Sequence, residues 1–327
     1  MKRFLIKLTL FLAPFVIVLA GAEMRLRKAP NSYSTKLALL KDNRGCEVLV
    51  LGPSYALRGL DPDFFGRKGF NMGNVRQSLY HDSQLLQRLA PTLPDLKVVV
   101  FTVAYFSLEY DPRIGPERWR SFFYRQYYGI PPNGWHLWLD VRNYSRLALY
   151  GADEIRNQIL RLMAPLLPAS AGGWFGATDA PKDLLLPDMS ANGWLPCDDV
   201  LQDISAQKGR ARVEFHHHNL MRERFRRENI RYLMESIEFC LRRGVTPILV
   251  TVPVFHTYSD HVDQGKYLWM QESIEHLRAE YKIRYLNHFT DHRFEREDFG
   301  DPDHLNSKGA AKFSRIFSEE ALQESVK

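Results

Sequence analysis

Cysteine is scarce in this chain of 327 residues: there are three, Cys46, Cys197 and Cys240. Three are too few for a disulfide framework, and their separations match no metal-ligand spacing. One pair in an oxidising compartment is the most they allow. Cys46 and Cys240 lie beside apolar runs and read as small buried hydrophobes. Surplus charge of one sign is scarce as well. Lys and Arg number 44 against 38 Asp and Glu, a net +6 that is modest for the length. The sequence contains no recognisable nucleic-acid module, so nucleic acid is not an expected partner, whereas an acidic polysaccharide or a membrane surface is compatible with the charge. No cofactor is expected. What remains is ordinary globular composition, 45% hydrophobic and 25% charged, in a chain long enough for one large domain or two ordinary ones.

The N-terminus departs from that ordinariness. Lys2 and Arg3 precede a nearly continuous apolar run from Phe4 to Ala22, broken by Lys7. From Leu8 onward the run has the length of a signal-peptide core, and Ala20-Gly21-Ala22 suits a cleavage site. Counted from Phe4, with Lys7 reaching back to the interface, it is just long enough to span a bilayer. Residues 1–22 therefore read as a membrane anchor or a signal peptide, and both readings export the remainder. The charges before the run favour an N-terminus-in, single-pass orientation, with the domain on the periplasmic or extracellular side. Residues 23–45 read as a polar, basic tether with a short helix near Thr35 to Lys41.

From residue 46 to 327 the chain alternates apolar runs with amphipathic stretches. Val48 to Leu51, Gly69 to Met72, Lys97 to Val103, Thr246 to Pro253 and Ile283 to Leu286 are five expected strands. Asp82 to Leu89, Leu220 to Arg243, Tyr267 to Glu280 and Ser307 to Leu322 are expected helices, and Asp61-Pro62 opens a short one. This alternation predicts an α/β fold with a doubly wound parallel sheet. The pattern lapses over about 107–215, which reads as a large insertion after the third strand, helical over Ala152 to Leu162. Trp119, Trp135, Trp138, Trp174 and Trp194 fall within it. They suit either stacking on sugar rings or the insertion's own core.

Two stretches carry candidate chemistry. In Glu47-Val-Leu-Val-Leu-Gly52-Pro53-Ser54, a buried strand ends in a turn that holds one hydroxyl at the strand's carboxyl end, where open α/β sheets bind ligands. In Asp301-Pro-Asp303-His304-Leu-Asn306, a polar loop delivers a histidine just before a helix. Asp301 stands three residues ahead, a spacing that lets a carboxylate reach the imidazole Nδ1–H and leaves Nε2 to take a proton from a serine. The bland alternatives are a plain turn, and a helix cap at Asp303 or Asn306 with a packed His304. Asp303 also rivals Asp301, although a side chain adjacent to His304 tends to point away. His216-His217-His218 suggests metal at first sight. Three consecutive residues rarely face one site, however, and no ligand spacing surrounds them, so they read as a loop or helix lead-in.

Gly-Pro-Ser54 after the first strand, Asn71-Met-Gly73 after the second, and Asp301-x-x-His304-Leu-Asn with a following Gly309 resemble the SGNH (GDSL-like) hydrolase superfamily. The N-terminal segment and the third strand's ending, Phe101-Thr-Val-Ala-Tyr-Phe106, are most similar to its envelope branch, which includes teichoic-acid D-alanylation and alginate O-acetylation proteins. The resemblance covers about residues 46–106 and 220–320. It implies an SGNH/flavodoxin-like sheet, Ser54 as nucleophile, His304 as general base and Asp301 as its partner. It also implies an oxyanion hole from backbone N–H groups of Ser54 and the Gly73 to Gln77 loop, with Gly73 and Arg76 as donors. The family's Gly-Asp-Ser is Gly-Pro-Ser here, and Tyr105 and Phe106 stand where its oxyanion Asn usually ends the third strand. The implied function is a serine-dependent acyl-ester hydrolase or O-acyltransferase acting on a cell-envelope polysaccharide. Its expected partners are the membrane, an acylated glycan or acyl donor, and other polysaccharide-assembly proteins. The alternative is a non-catalytic glycan-binding or assembly subunit of such a machine.

Overall fold

A computed structural model describes residues 1–114, 117–150, 159, 189–197 and 203–323 of the chain. Two compact units are distinguished, Met1–Thr35 with Phe122–Leu186, and Lys36–Ser121 with Pro187–Lys327. In chain order the elements used below are α1 (Lys2–Lys28), α2 (Ser32–Asp42), β1 (Val48–Leu51), α3 (Ser54–Gly59), β2 (Gly69–Asn71), α4 (Leu79–Leu89), β3 (Val98–Thr102) and α5 (Arg120–Tyr128). They continue as α6 (Ala206–Asn219), α7 (Arg226–Arg242), β4 (Thr246–Thr251), α8 (Gln264–Tyr281), β5 (Arg284–Asn287), β6 (Phe299–Asp301), β7 (His304–Leu305) and α9 (Ser307–Phe317).

In the first unit, α1 is long and apolar enough to cross a membrane, and Phe4, Leu10, Phe11, Phe15 and Ile17 are exposed along it. The helix continues past Ala22, so the stretch read as a tether is helical through Lys28 and again in α2. Glu23, beyond the apolar run, accepts hydrogen bonds from the backbone N–H groups of Arg146 and Leu147, each at 3.0 Å. Tyr33 stacks on Phe123 at 5.2 Å and meets Tyr124 edge-on at 5.1 Å. Aromatic pairs of this kind bury large areas in a few residues.

The second unit is built on a five-stranded parallel sheet of order β2-β1-β3-β4-β5. β1 is apolar throughout, β3 is apolar up to its last residue, Thr102, and both are fully buried, as strands covered on both faces must be. Their register pairs Val48 with Val98 and Leu51 with Phe101, while β2 lies on the other side of β1 with Val50 opposite Asn71. Strand order reverses at β1, which opens a crevice at the carboxyl ends of β1 and β3. One core joins Val48, Val50, Val100, Ile248 and Val250 to Phe313 and Phe317 of α9. Lys36 of α2 is wholly buried at the sheet edge, where its ammonium donates to the carbonyls of Asn71 and Gly193 at 2.6 and 2.7 Å. Burial lowers its pKa well below the usual lysine range.

Two expected elements come out differently. The single helix expected over Leu220 to Arg243 begins only at Arg226. Met221 is drawn into a bridge with Tyr110, and the Arg222 N–H donates to the Glu109 carbonyl at 3.0 Å, which takes the backbone out of helical geometry. The turn-rich loop before α9 contains a small antiparallel hairpin, β6–β7, that pairs Phe299 with Leu305 and Asp301 with His304. The helix expected over Ala152 to Leu162 and Trp174 lie outside the described residues, apart from position 159.

Candidate active site

Local geometry brings Ser54 to the rim of the sheet. Gly52 has φ +136°, and a Cβ there would stand 2.8 Å from the Thr102 Cβ, so the tight exit from β1 requires glycine. Pro53 is the N-cap of α3 and Ser54 its first residue. On the other side, Asn306 caps α9 by accepting from the Gly309 N–H at 2.9 Å, which fixes the hairpin just before it. Asp301 shapes the turn itself: its Oδ1 accepts from the N–H groups of Asp303 and His304 at 2.9 and 2.8 Å.

These two pieces of chain, 250 positions apart, meet. Ser54 Oγ lies 2.7 Å from His304 Nε2. His304 Nδ1 lies 2.9 Å from Asp301 Oδ2 and 3.0 Å from Oδ1. With the proton on Nδ1 donated to Asp301, Nε2 is an acceptor aimed at the serine hydroxyl, within reach for proton abstraction. Ser54 and His304 are both nearly buried, while Asp301 keeps a partly open side chain.

The expected oxyanion donors divide. The Gly73 N–H is taken by Asn71 Oδ1 at 2.9 Å, which corrects its assignment as a donor to substrate. Asn71 is a fastener: its Nδ2 donates to the carbonyls of Ala56 and Leu60, both at 2.7 Å, and so holds α3 against the end of β2. The N–H groups of Ser54 and Arg76 have no acceptor among the described residues. Arg76 has φ +52°, a left-handed conformation that costs a non-glycine residue on the order of 1–2 kcal/mol. Its guanidinium lies 2.7 Å from Glu117 and over the Phe215 ring. The Asn74 N–H donates to the Gly52 carbonyl at 3.1 Å, which sets this loop against the Ser54 turn. Asn74 Nδ2, buried and without an acceptor among the described residues, is a further donor there that the sequence did not single out. At the end of β3, Phe106 packs edge-on against Tyr55 and beside His216, forming an apolar wall.

Asp303 does not point away from His304. Fully buried, it accepts from the Tyr55 hydroxyl at 2.9 Å and from Arg212 Nε at 2.8 Å, and its Oδ1 lies 3.5 Å from His304 Nδ1. Burial alone pushes this carboxyl up, but the Arg212 guanidinium beside it holds it well below the usual carboxylate range. Burial lowers the pKa of His216 to about 3, so it is a neutral ring, in contact with the Tyr258 hydroxyl at 2.7 Å. The three consecutive histidines point to different partners: His217 Nε2 meets the Tyr105 hydroxyl at 2.7 Å, and His218 Nδ1 meets the Glu214 carbonyl at 2.8 Å. Beside the hairpin lies a cavity of about 550 Å³ lined by Lys208, Arg212, Phe215, Asp301, Pro302 and Asp303.

No protein-family model matches the chain, and a search of curated proteins finds no match.

Proposed function

We propose that this protein is a serine-dependent acyl-ester enzyme of the SGNH type, acting on a cell-envelope polysaccharide by hydrolysis or by O-acyl transfer. The observation that carries the reading is the unbroken chain from Ser54 Oγ to His304 Nε2 at 2.7 Å and from His304 Nδ1 to Asp301 at 2.9 Å. The order Ser, Asp, His along the sequence and the strand order 2-1-3-4-5 also support it. In this reading the chain over about 107–215 is an insertion in an SGNH-like domain. Helix α1 anchors the protein in a single pass, with the domain outside the cytoplasm.

The chemistry follows from the residues. Ser54 Oγ attacks the ester carbonyl carbon while its proton passes to His304 Nε2, and Asp301 stabilises the imidazolium that forms. The carbonyl oxygen, now an oxyanion, is held by the N–H groups of Ser54 and Arg76. Collapse breaks the ester C–O bond, and the alcohol leaves with the proton from Nε2. Water or a sugar hydroxyl then attacks acyl-Ser54, gives its proton to Nε2, and the serine regains it as the acyl group departs. Acyl release from an acetylated polysaccharide or from p-nitrophenyl acetate by the full chain, lost in Ser54→Ala and in His304→Ala, is the expected result. Its absence in the folded wild type overturns the reading.

A specific observation favours a second reading. With the Gly73 N–H taken by Asn71 and no Asn after β3, the oxyanion hole has few donors. Loss of one donor lowers rate by about a hundredfold or more. A non-catalytic glycan-binding or assembly subunit would show glycan binding that survives both substitutions, with no acyl chemistry in the wild type.

A further inference from the structure

The Ser54–His304 contact has a neighbour built in parallel with it. Residues 54 and 55 are consecutive on α3, and residues 303 and 304 are consecutive at the hairpin. Ser54 Oγ meets His304 Nε2 at 2.7 Å, and the Tyr55 hydroxyl donates to Asp303 Oδ2 at 2.9 Å. The Tyr55 ring lies 5.1 Å from the imidazole. A pair on one element therefore grips a pair on the other, and a shift of α3 that opens one contact opens both.

We propose that Asp303 is a positioning residue for His304: a second buried carboxylate beside the imidazole, locked by Tyr55 and Arg212, that sets His304 against Ser54 and adds negative charge at its Nδ1 edge. This rests on the reading of Ser54 and His304 as nucleophile and base. The groups around Asp303 are few and come from every element packed on it. They are Tyr55 of α3, Arg212 and His216 of α6, Tyr258 behind His216, Asp301 of β6 and His304 itself. Of these only Arg212 carries a fixed positive charge, and only its Nε is bonded to the carboxylate. Asp301 and Asp303 lie on the same edge of the ring, at 2.9 and 3.5 Å from Nδ1. An imidazolium formed when Nε2 takes the serine proton is stabilised by both carboxylates. Asp301 shapes the turn by accepting the Asp303 and His304 N–H groups and fixes the tautomer at Nδ1, while Asp303 ties the hairpin to α3 and α6 through Tyr55 and Arg212.

The test is the rate of Ser54 modification by a fluorophosphonate on the full chain in detergent, resolved into binding (KI) and reaction (kinact), with the thermal midpoint measured on each variant. Asp303→Asn is expected to lower kinact about tenfold, the effect of one pKa unit of lost charge stabilisation, with KI unchanged; the thermal midpoint falls as well, because Arg212 loses its buried partner. Asp303→Asn combined with Arg212→Gln is expected to stay slow. Return of the double variant to the wild-type rate would mean that Asp303 only neutralises Arg212, and overturns the proposal. So does a wild-type kinact in Asp303→Asn. Should Asp303→Asn not fold, Tyr55→Phe keeps both charges and removes only the hydrogen bond that ties Asp303 to α3. A fall in its kinact at constant KI supports the proposal, and an unchanged kinact overturns it. Absence of Ser54 modification in the wild type overturns the enzyme reading itself, and this inference with it.

Discussion

Of the imidazole–carboxylate pairs in the second unit, two share one spacing, and their difference shows what the candidate site adds to a common motif. His304 and Asp301 are three residues apart, and so are His288 and Asp291. Both histidines are nearly buried, and both Nδ1 atoms lie 2.9 Å from a carboxylate oxygen. The second nitrogen separates them. His304 Nε2 faces the Ser54 hydroxyl at 2.7 Å, a group with a proton to give. His288 Nε2 faces the Glu320 carboxylate at 3.2 Å, a group with none. Arg293 completes the second cluster by pairing with both Asp291 and Glu320, at 2.6 and 3.0 Å. The same spacing thus serves an ion-pair knot at the edge of the sheet and a serine–imidazole–carboxylate chain at its switch point. A histidine three residues from an aspartate says little until the far side of the ring is known.

Substitutions break this comparison most sharply at the proton donor. Ser54→Ala and His304→Ala are expected to abolish turnover and fluorophosphonate modification, while His288→Ala leaves both unchanged; equal losses at the two histidines would erase the distinction. Next in size, Asp301→Asn keeps the shape but alters which imidazole nitrogen carries the proton, and a loss of about ten-thousandfold in kcat is expected. Asp291→Asn, measured in the same assay, should leave kcat where it was.

Smaller effects appear in stability, with opposite signs at Asp82 and Asp291. Asp82 of α4 is buried, and burial pushes its carboxyl up to about 7, with the Gln77 amide at 2.7 Å offsetting this in part. The folded protein keeps that proton to about pH 7, and the unfolded chain only to about pH 4, so stability falls as pH rises between them. Asp82→Asn is therefore expected to be more stable than wild type at pH 8 by on the order of 4 kcal/mol, with no difference near pH 4. Urea unfolding at the two pH values measures this. Burial also pushes Asp291 up, but hydrogen bonds from the Arg293 side chain and N–H and from His288 hold it below the usual range. Its contribution is present above the unfolded carboxyl value and is lost as pH falls below about 4. Asp291→Asn should thus be less stable than wild type at pH 7, by less than the Asp82 effect, and the gap should close in acid.

Much of the frame was readable from residue order, for reasons that are local. Val48 to Leu51 and Val98 to Phe101 are apolar and covered on both faces, and Gly52-Pro53 signals its turn through backbone constraints of its own. The Asp301 to His304 spacing likewise works within four residues. What escaped depends on distant partners. Asp303 turns toward His304 because Tyr55 and Arg212, 248 and 91 positions away, hold it there. The Gly73 N–H is lost to Asn71 through a side-chain rotamer that no spacing reveals. β5 spans Arg284-Tyr-Leu-Asn287, a half-buried edge strand with a weak apolar signal, and its register differs by one residue from the expected run. The break before α7 is imposed by Tyr110, more than a hundred residues upstream.

The most direct measurement is mass-spectrometric mapping of the full chain after reaction with a fluorophosphonate. The account predicts a single phosphonylated peptide carrying Ser54 in the wild type and in His288→Ala, and none in His304→Ala. A folded wild-type protein with Ser54 unmodified, or one modified equally well without His304, would contradict it.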